Sequence, residues 1–284
     1  MPFLHLIALF VGLVLVLAGC MAVLSCLASV MINLGYGQMR TAASQAGTSS
    51  FSLIVRTLAS SFLSCLYTFA TCFLSTKKGL HPCPGPESNG RPIVCIHGLY
   101  QNHRAWLVYQ HWLRSAGFTR LYTWSYSSFG QDFDHLSQAL SQDLVRLARE
   151  HPGKKMVLIG HSLGGLLIQS VLADPAVAKH THMAVTLGTP HQGSVLASLA
   201  LGKLGRSLKF EGELVRSLQT RKSQPEPAKV YIHPPLDTLV APLSGLHPRE
   251  PGWTEIQTPP LGHVSLLFHR PTARRIEKYI SDLR

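Results

Sequence analysis

Two long apolar stretches open the chain, and short apolar runs alternating with amphipathic segments fill the rest. Residues 3–34 are mostly Leu, Val, Ala, Ile and Met, interrupted by small residues. A bilayer core needs roughly 20 residues of helix, so this stretch is long enough to span. Residues 57–76 are also uncharged and include Leu58, Phe62, Leu63, Leu66, Phe69 and Phe73, but many Ser and Thr residues make them less hydrophobic. That pattern predicts a second span or, alternatively, an interfacial helix.

Residues 77–90, with His81-Pro82-Cys83-Pro84-Gly85-Pro86, read as a linker. From residue 91 onward the periodicity switches repeatedly between strand and helix. The run 92–97 (PIVCIH) suits a strand buried on both faces, and 102–116 is helical in pattern. Residues 120–124 predict a second strand. Phe133, Leu136, Leu140, Leu144 and Leu147 then recur at helical spacing until His151-Pro152-Gly153. Strands are predicted at 156–159, 182–187, 229–232 and 254–256, with an apolar helix reaching residue 173. This alternation implies an α/β domain over 91–284, with a mostly parallel sheet of about six strands and helices on both faces. Ligands in such sheets bind at the carboxyl ends of the strands.

Residues 194–228 are too many for an ordinary connection of about 2–6 residues. Leu196, Leu199, Ala200, Leu204 and Leu208 recur at helical spacing beside Lys203, Arg206 and Lys209. The segment is expected to be a helical cap or lid resting on an anionic lipid surface; the alternative is a helix packed permanently on the core.

Composition sharpens the division. Of 284 residues 46% are apolar and only 14% charged, and the formal net charge is +12. Residues 1–76 hold only Arg40 and Arg56, so all 14 acids lie in the remainder. The first 76 residues therefore belong in or on a membrane, and the rest forms a soluble domain. The basic residues are scattered and show no nucleic-acid recognition motif, so a lipid surface rather than nucleic acid is the expected partner. Leu17-Ala18-Gly19-Cys20 resembles a bacterial lipoprotein cleavage box, but the chain stays apolar beyond Cys20, which favours an uncleaved anchor. No Cys/His spacing suits zinc, and no metal or cofactor is expected.

The candidate chemistry centres on Gly160-His161-Ser162-Leu163-Gly164-Gly165, between a predicted strand and a predicted helix. A Gly-x-Ser-x-Gly turn in that context makes a nucleophile elbow. A serine hydroxyl needs a base, and the base an orienting acid. Of the acids after Ser162, only Asp237 sits just past the carboxyl end of a predicted strand. His247, His263 and His269 follow it, and His263, after Gly262 in the loop beyond the last strand, is the candidate base. His161 is expected to pack beside the elbow. The N–H groups of Leu163 and Leu99 are the candidate oxyanion donors.

His97-Gly98-Leu99, the Ser162 elbow, Gly188-Thr189-Pro190-His191-Gln192-Gly193-Ser194, Asp237-x-x-Val240-x-Pro242 and Gly262-His263 together resemble the α/β-hydrolase superfamily, and bacterial triacylglycerol lipases and esterases within it. The resemblance implies a cofactor-free serine hydrolase acting on carboxylic esters of lipids. Phospholipase, acyltransferase or thioesterase chemistry on the same triad is an alternative, as is a non-catalytic membrane scaffold. The superfamily's first two strands are not evident. The protein is expected in a membrane, the bacterial inner membrane. With two spans, Lys77, Lys78 and Arg91 point to a cytoplasmic domain; an outward domain behind one anchor is the alternative.

Overall fold

The computed structural model describes residues 2–72, 77–85, 90–221 and 227–282. Residues 73–76, 86–89 and 222–226, within the second apolar stretch, the linker and the cap, lie outside the described residues.

The N-terminal quarter is helical: Pro2–Gly35 (α1), Met39–Gln45 (α2) and Ser50–Cys72 (α3). Two segments, Leu9–Gly35 and Ser50–Thr68, are long and apolar enough to cross a membrane. The second helix thus starts at Ser50 rather than at 57, and the short α2 was not expected. Ala18, Ala22, Cys26, Ser29 and Asn33 recur at helical spacing as the buried face of α1, while Phe10, Leu17, Leu24 and Met31 are exposed on another.

The domain that follows contains Gly79–Pro82 (β1), Ile93–Ile96 (β2), Leu107–Ser115 (α4), Leu121–Ser125 (β3), Phe133–Glu150 (α5), Met156–His161 (β4), Leu163–Val171 (α6), Pro175–Ala178 (α7) and Thr181–Leu187 (β5). It continues with Gly202–Arg206 (α8), Glu213–Thr220 (α9), Ala228–His233 (β6), Trp253–Gln257 (β7) and Arg270–Asp282 (α10). The sheet order is β1-β3-β2-β4-β5-β6-β7. All neighbours pair in parallel except β1, which runs antiparallel to β3 from Gly79↔Ser125 to Pro82↔Tyr122. Part of the segment expected as a linker forms strand β1, which brings the sheet to seven strands where about six were expected. A proline fits because β1 is an edge strand.

β2 and β4 are buried at every position, as continuous apolar runs in a sheet covered on both faces should be. On one face α5 and α6 supply Leu136, Leu140, Leu144, Leu147, Leu163 and Leu167. On the other, α4 and α10 supply Tyr109, Leu113, Ile276 and Ile280, with Trp106 from the preceding turn. Asp132 caps α5 by accepting the His135 N–H.

The cap segment is not one helix. It is a 3-10 turn, Val195–Leu199, followed by α8 and α9. Leu204, Leu208, Val215 and Leu218 are built into the core. Leu199 and Leu201 are 80% and 68% exposed, and Lys203, Arg206 and Lys209 are exposed beside them.

Candidate active site

Ser162 occupies the turn between β4 and α6 with φ 53° and ψ −121°, a backbone conformation that non-glycine residues rarely adopt. Three glycines make this turn possible. A Cβ on Gly160 would fall 2.6 Å from the carbonyl carbon of Gly164, and one on Gly164 would fall 2.3 Å from the Ile96 carbonyl oxygen. A Cβ on Gly165 would meet Thr189 Oγ1 at 1.9 Å. The start of α6 is therefore pressed against the end of β2, and only hydrogen fits between them. The Ser162 N–H donates to the Leu187 carbonyl at 2.8 Å, and Thr189 Oγ1 donates to the Ser162 carbonyl at 3.1 Å. These bonds hold the strained turn from the β5 side.

Asp237, fully buried, follows β6 and faces His263, which is 3% exposed and follows β7. His263 Nδ1 lies 3.0 and 2.9 Å from the two carboxylate oxygens, so its N–H donates to Asp237. Asp237 Oδ1 also accepts the N–H groups of Leu239 and Val240, both at 2.8 Å. The charge-assisted pair is thus locked on the acid side by backbone. Thr238 Oγ1 accepts the His263 N–H of the main chain at 3.2 Å. The pair and the elbow meet at Gly188: this residue follows the Leu187 carbonyl that holds Ser162, and a Cβ on it would fall 3.2 Å from His263 Nδ1.

The loop after β2 closes over the serine. A Cβ on Gly98 would sit 2.9 Å from Ser162 Cβ. Gln101 Oε1 accepts the Gly98 N–H at 3.0 Å and Ser128 Oγ accepts the Tyr100 N–H at 2.7 Å. Between them Leu99 is left; among the described residues no protein acceptor takes its N–H or that of Leu163. His97 anchors the loop base, stacked 4.2 Å from Tyr126, and burial pushes its pKa down to about 4. Burial, reinforced by the neighbouring His263, holds His161 well below the usual histidine range, so it is neutral.

Gln101, Thr238 and Ser128 had no signature in the sequence, since each acts through side-chain contacts that exist only once the loops are folded together. His191 proves structural: it lies between Gln169 and Thr186, 3.1 Å from each, and burial lowers its pKa to about 3. His247, the alternative base, instead joins His233 and Glu255, whose potential ligand atoms lie within 4.8 Å of one another. The group is nonetheless internally satisfied: His233 Nε2 is 2.8 Å from Glu255 and its Nδ1 3.1 Å from the Pro234 carbonyl, while His247 Nδ1 is 3.1 Å from the Tyr231 hydroxyl.

Comparison with known proteins agrees with this architecture. Among solved structures, a mature lipase from Bacillus licheniformis (BlEst2) superposes with a TM-score of 0.59 at 19% identity, covering 72% of this chain and 99% of that one. Lipase B of Aspergillus fumigatus gives 0.60 at 14% identity, covering 72% and 56%. A monoacylglycerol lipase of Paleococcus ferrophilus gives 0.53 at 13%, covering 74% and 100%. These likenesses are of fold. A GPI inositol-deacylase of Drosophila melanogaster is 51% identical over 41 residues, which is 14% of this chain and only 4% of that protein. The family model for the alpha/beta hydrolase family matches residues 93–280. That match runs from the first residue of β2 into α10 and takes in every element that carries the site, so the chain belongs to the alpha/beta hydrolase family.

Proposed function

We propose that the protein is a membrane-anchored serine hydrolase that cleaves carboxylic esters of lipids through Ser162, His263 and Asp237. The observation that carries this reading is the buried Asp237–His263 pair placed beside the strained Ser162 turn. With Nδ1–H committed to Asp237, His263 presents Nε2 as the base that takes the Ser162 proton. Ser162 Oγ attacks the ester carbonyl, and the N–H groups of Leu99 and Leu163 receive the developing oxyanion. His263 returns its proton to the departing alkoxide, leaving an acyl-serine. Water, activated by the same imidazole, releases the acid. The short match to a protein named a deacylase and the lipase neighbours agree with an acyl-ester substrate.

For the anchor, α1 at 34 residues is about 51 Å long, against about 30 Å of hydrocarbon. Its exposed N-terminal part spans, and its last turns stand at the level of the domain. Leu199 and Leu201 on the cap add apolar contact with lipid.

The test is labelling with a fluorophosphonate probe, with the labelled residue mapped by mass spectrometry. Labelling at Ser162, lost in Ser162→Ala together with ester hydrolysis, supports the reading. A folded protein without labelling overturns it in favour of a non-catalytic scaffold.

A further inference from the structure

The Ser and Thr residues that lower the hydrophobicity of α3 lie on the side facing the domain. Thr57, Ser61 and Ser64 are buried, whereas Phe51, Val55 and Leu63 are exposed. Ser60 Oγ accepts the N–H of Gly262, the residue before His263, at 2.7 Å. Ser265 Oγ donates to the Ser60 carbonyl at 2.9 Å and lies 3.1 Å from Ser64 Oγ. The fit allows no slack, since a Cβ on Gly262 would fall 2.0 Å from Ser61 Oγ.

α1 makes the matching contact with the acid. Ser29 Oγ, fully buried, donates to the carbonyl of Asp237 at 2.5 Å. Asn33 Oδ1 accepts the Leu243 N–H at 2.9 Å from the same loop. Leu53 of α3 and Met39 and Ala42 of α2 enclose Leu236, the residue before Asp237. Each of the two loops that carry the Asp237–His263 pair is therefore held from outside by an N-terminal helix.

We infer that the N-terminal hairpin is part of the catalytic unit and not only a tether: Ser29 and Ser60 are positioning residues that set Asp237 and His263 against Ser162. Neither touches the reacting atoms. The inference rests on the triad reading above. A displacement of about 1 Å at a reacting group can cost on the order of 100-fold in rate, so a loop set by few bonds is sensitive to one of them. The polar stripe has a further physical basis: in the low-dielectric setting of a helix pair at a membrane, hydroxyls and loop N–H groups are costly unless they satisfy each other.

The experiment uses the full chain in detergent micelles, a short soluble ester, the fluorophosphonate probe, and amide hydrogen exchange over residues 258–268. Ser60→Ala is expected to lower kcat and the labelling rate at Ser162 about 10-fold, to leave KM unchanged, and to raise exchange in 258–268. Ser60→Thr keeps the acceptor and is expected to retain most of the activity. Gly262→Ala should lose more, and the added change Ser61→Gly, which removes the clashing side chain, should restore part of the loss. Ser25→Ala, whose hydroxyl donates within α1 to the Ala22 carbonyl, serves as the control and should change nothing. Wild-type kcat and wild-type exchange in both Ser60→Ala and Gly262→Ala would overturn the inference. If the wild-type protein is not labelled at Ser162, the triad reading fails, and the exchange measurement decides by itself whether the hairpin holds the loop.

Discussion

The rings of His161 and His263 lie 4.8 Å apart, and His161 Nε2 donates to the His263 carbonyl at 3.2 Å. The residue beside the proposed nucleophile thus holds the backbone of the proposed base. It does so as a neutral imidazole, because burial and His263 both disfavour its charge. His161→Ala removes one backbone anchor, worth about 1 kcal/mol, and is expected to lower kcat about 5-fold. His263→Ala removes the base and is expected to cost about 10⁴-fold or more. Steady-state kinetics on one soluble ester compares the two; equal losses would reassign the base.

Asp237→Asn is expected to keep the fold while lowering kcat about 10⁴-fold. The asparagine carbonyl can still accept the N–H groups of Leu239 and Val240. Its amide must then face His263 Nδ1, which turns that nitrogen into an acceptor and places the proton on Nε2. An imidazole with Nε2 already protonated cannot take the Ser162 proton. Circular dichroism should be unchanged, and a turnover within 10-fold of wild type would show that Asp237 does not select the tautomer.

Acid should unfold the protein through its buried histidines. The folded pKa values of His97 and His191 are lowered by burial to about 4 and about 3, whereas an unfolded histidine titrates near 6.5. Above pH 6.5 both states are neutral at these residues and stability is fully present. Below it the unfolded state binds protons that the folded state refuses, so stability falls by about 1.4 kcal/mol per pH unit and per histidine until the folded pKa is reached. Melting temperature should be level from pH 8 to 7 and fall from pH 6 towards 4. His191→Gln should make that fall shallower; an unchanged slope would show that His191 is not a source of it.

Lys203→Glu with Arg206→Glu should lower activity on substrate in anionic vesicles several-fold and spare a short soluble ester. Both residues are exposed on α8 next to Leu199 and Leu201, where charge and apolar contact would act on the same lipid surface. The vesicle advantage of the unaltered protein should fall as salt rises. Equal losses on both substrates would assign α8 to the scaffold. The cap is tied to the loop over Ser162 by an exposed bond from the Tyr100 hydroxyl to the Leu201 carbonyl at 2.6 Å.

Much of the candidate site was legible because its residues sit where the local pattern changes. Ser162 and Asp237 each follow a strand whose apolar run is visible in the sequence, His263 follows the short, more polar strand β7, and the elbow glycines announce a turn too tight for side chains. β1 was hidden because Gly79-Leu80-His81-Pro82 shows neither alternation nor a continuous apolar run, and pairing with β3 alone makes it a strand. The cap's periodicity was real but misleading: its leucines are divided between the core and the surface, and 3-10 and α pieces interrupt the helix. The hydroxyls of α3 looked like a weakness in a membrane helix because the loop partners of Ser60 and Ser64 are far away in sequence. His233, His247 and Glu255 were invisible for the same reason, since β6, β7 and the loop between them bring them together.

The distance along the chain between the hairpin and its loops has a consequence for how the protein is made. Ser29 and Ser60 meet partners 208 and 202 residues later. Synthesis delivers α1 and α3 first, and contacts of such separation form only after the intervening chain exists. The loop after β6 offers Ser29 and Asn33 of α1 their partners first, whereas Ser60 and Ser64 of α3 have no loop to hold until the turn after β7 emerges. The turn after the last strand is therefore what completes the seating of α3. A nascent chain halted before Gly262 would lack the loop N–H that Ser60 accepts and the hydroxyl that faces Ser64, so α3 would be left to bond only along its own backbone.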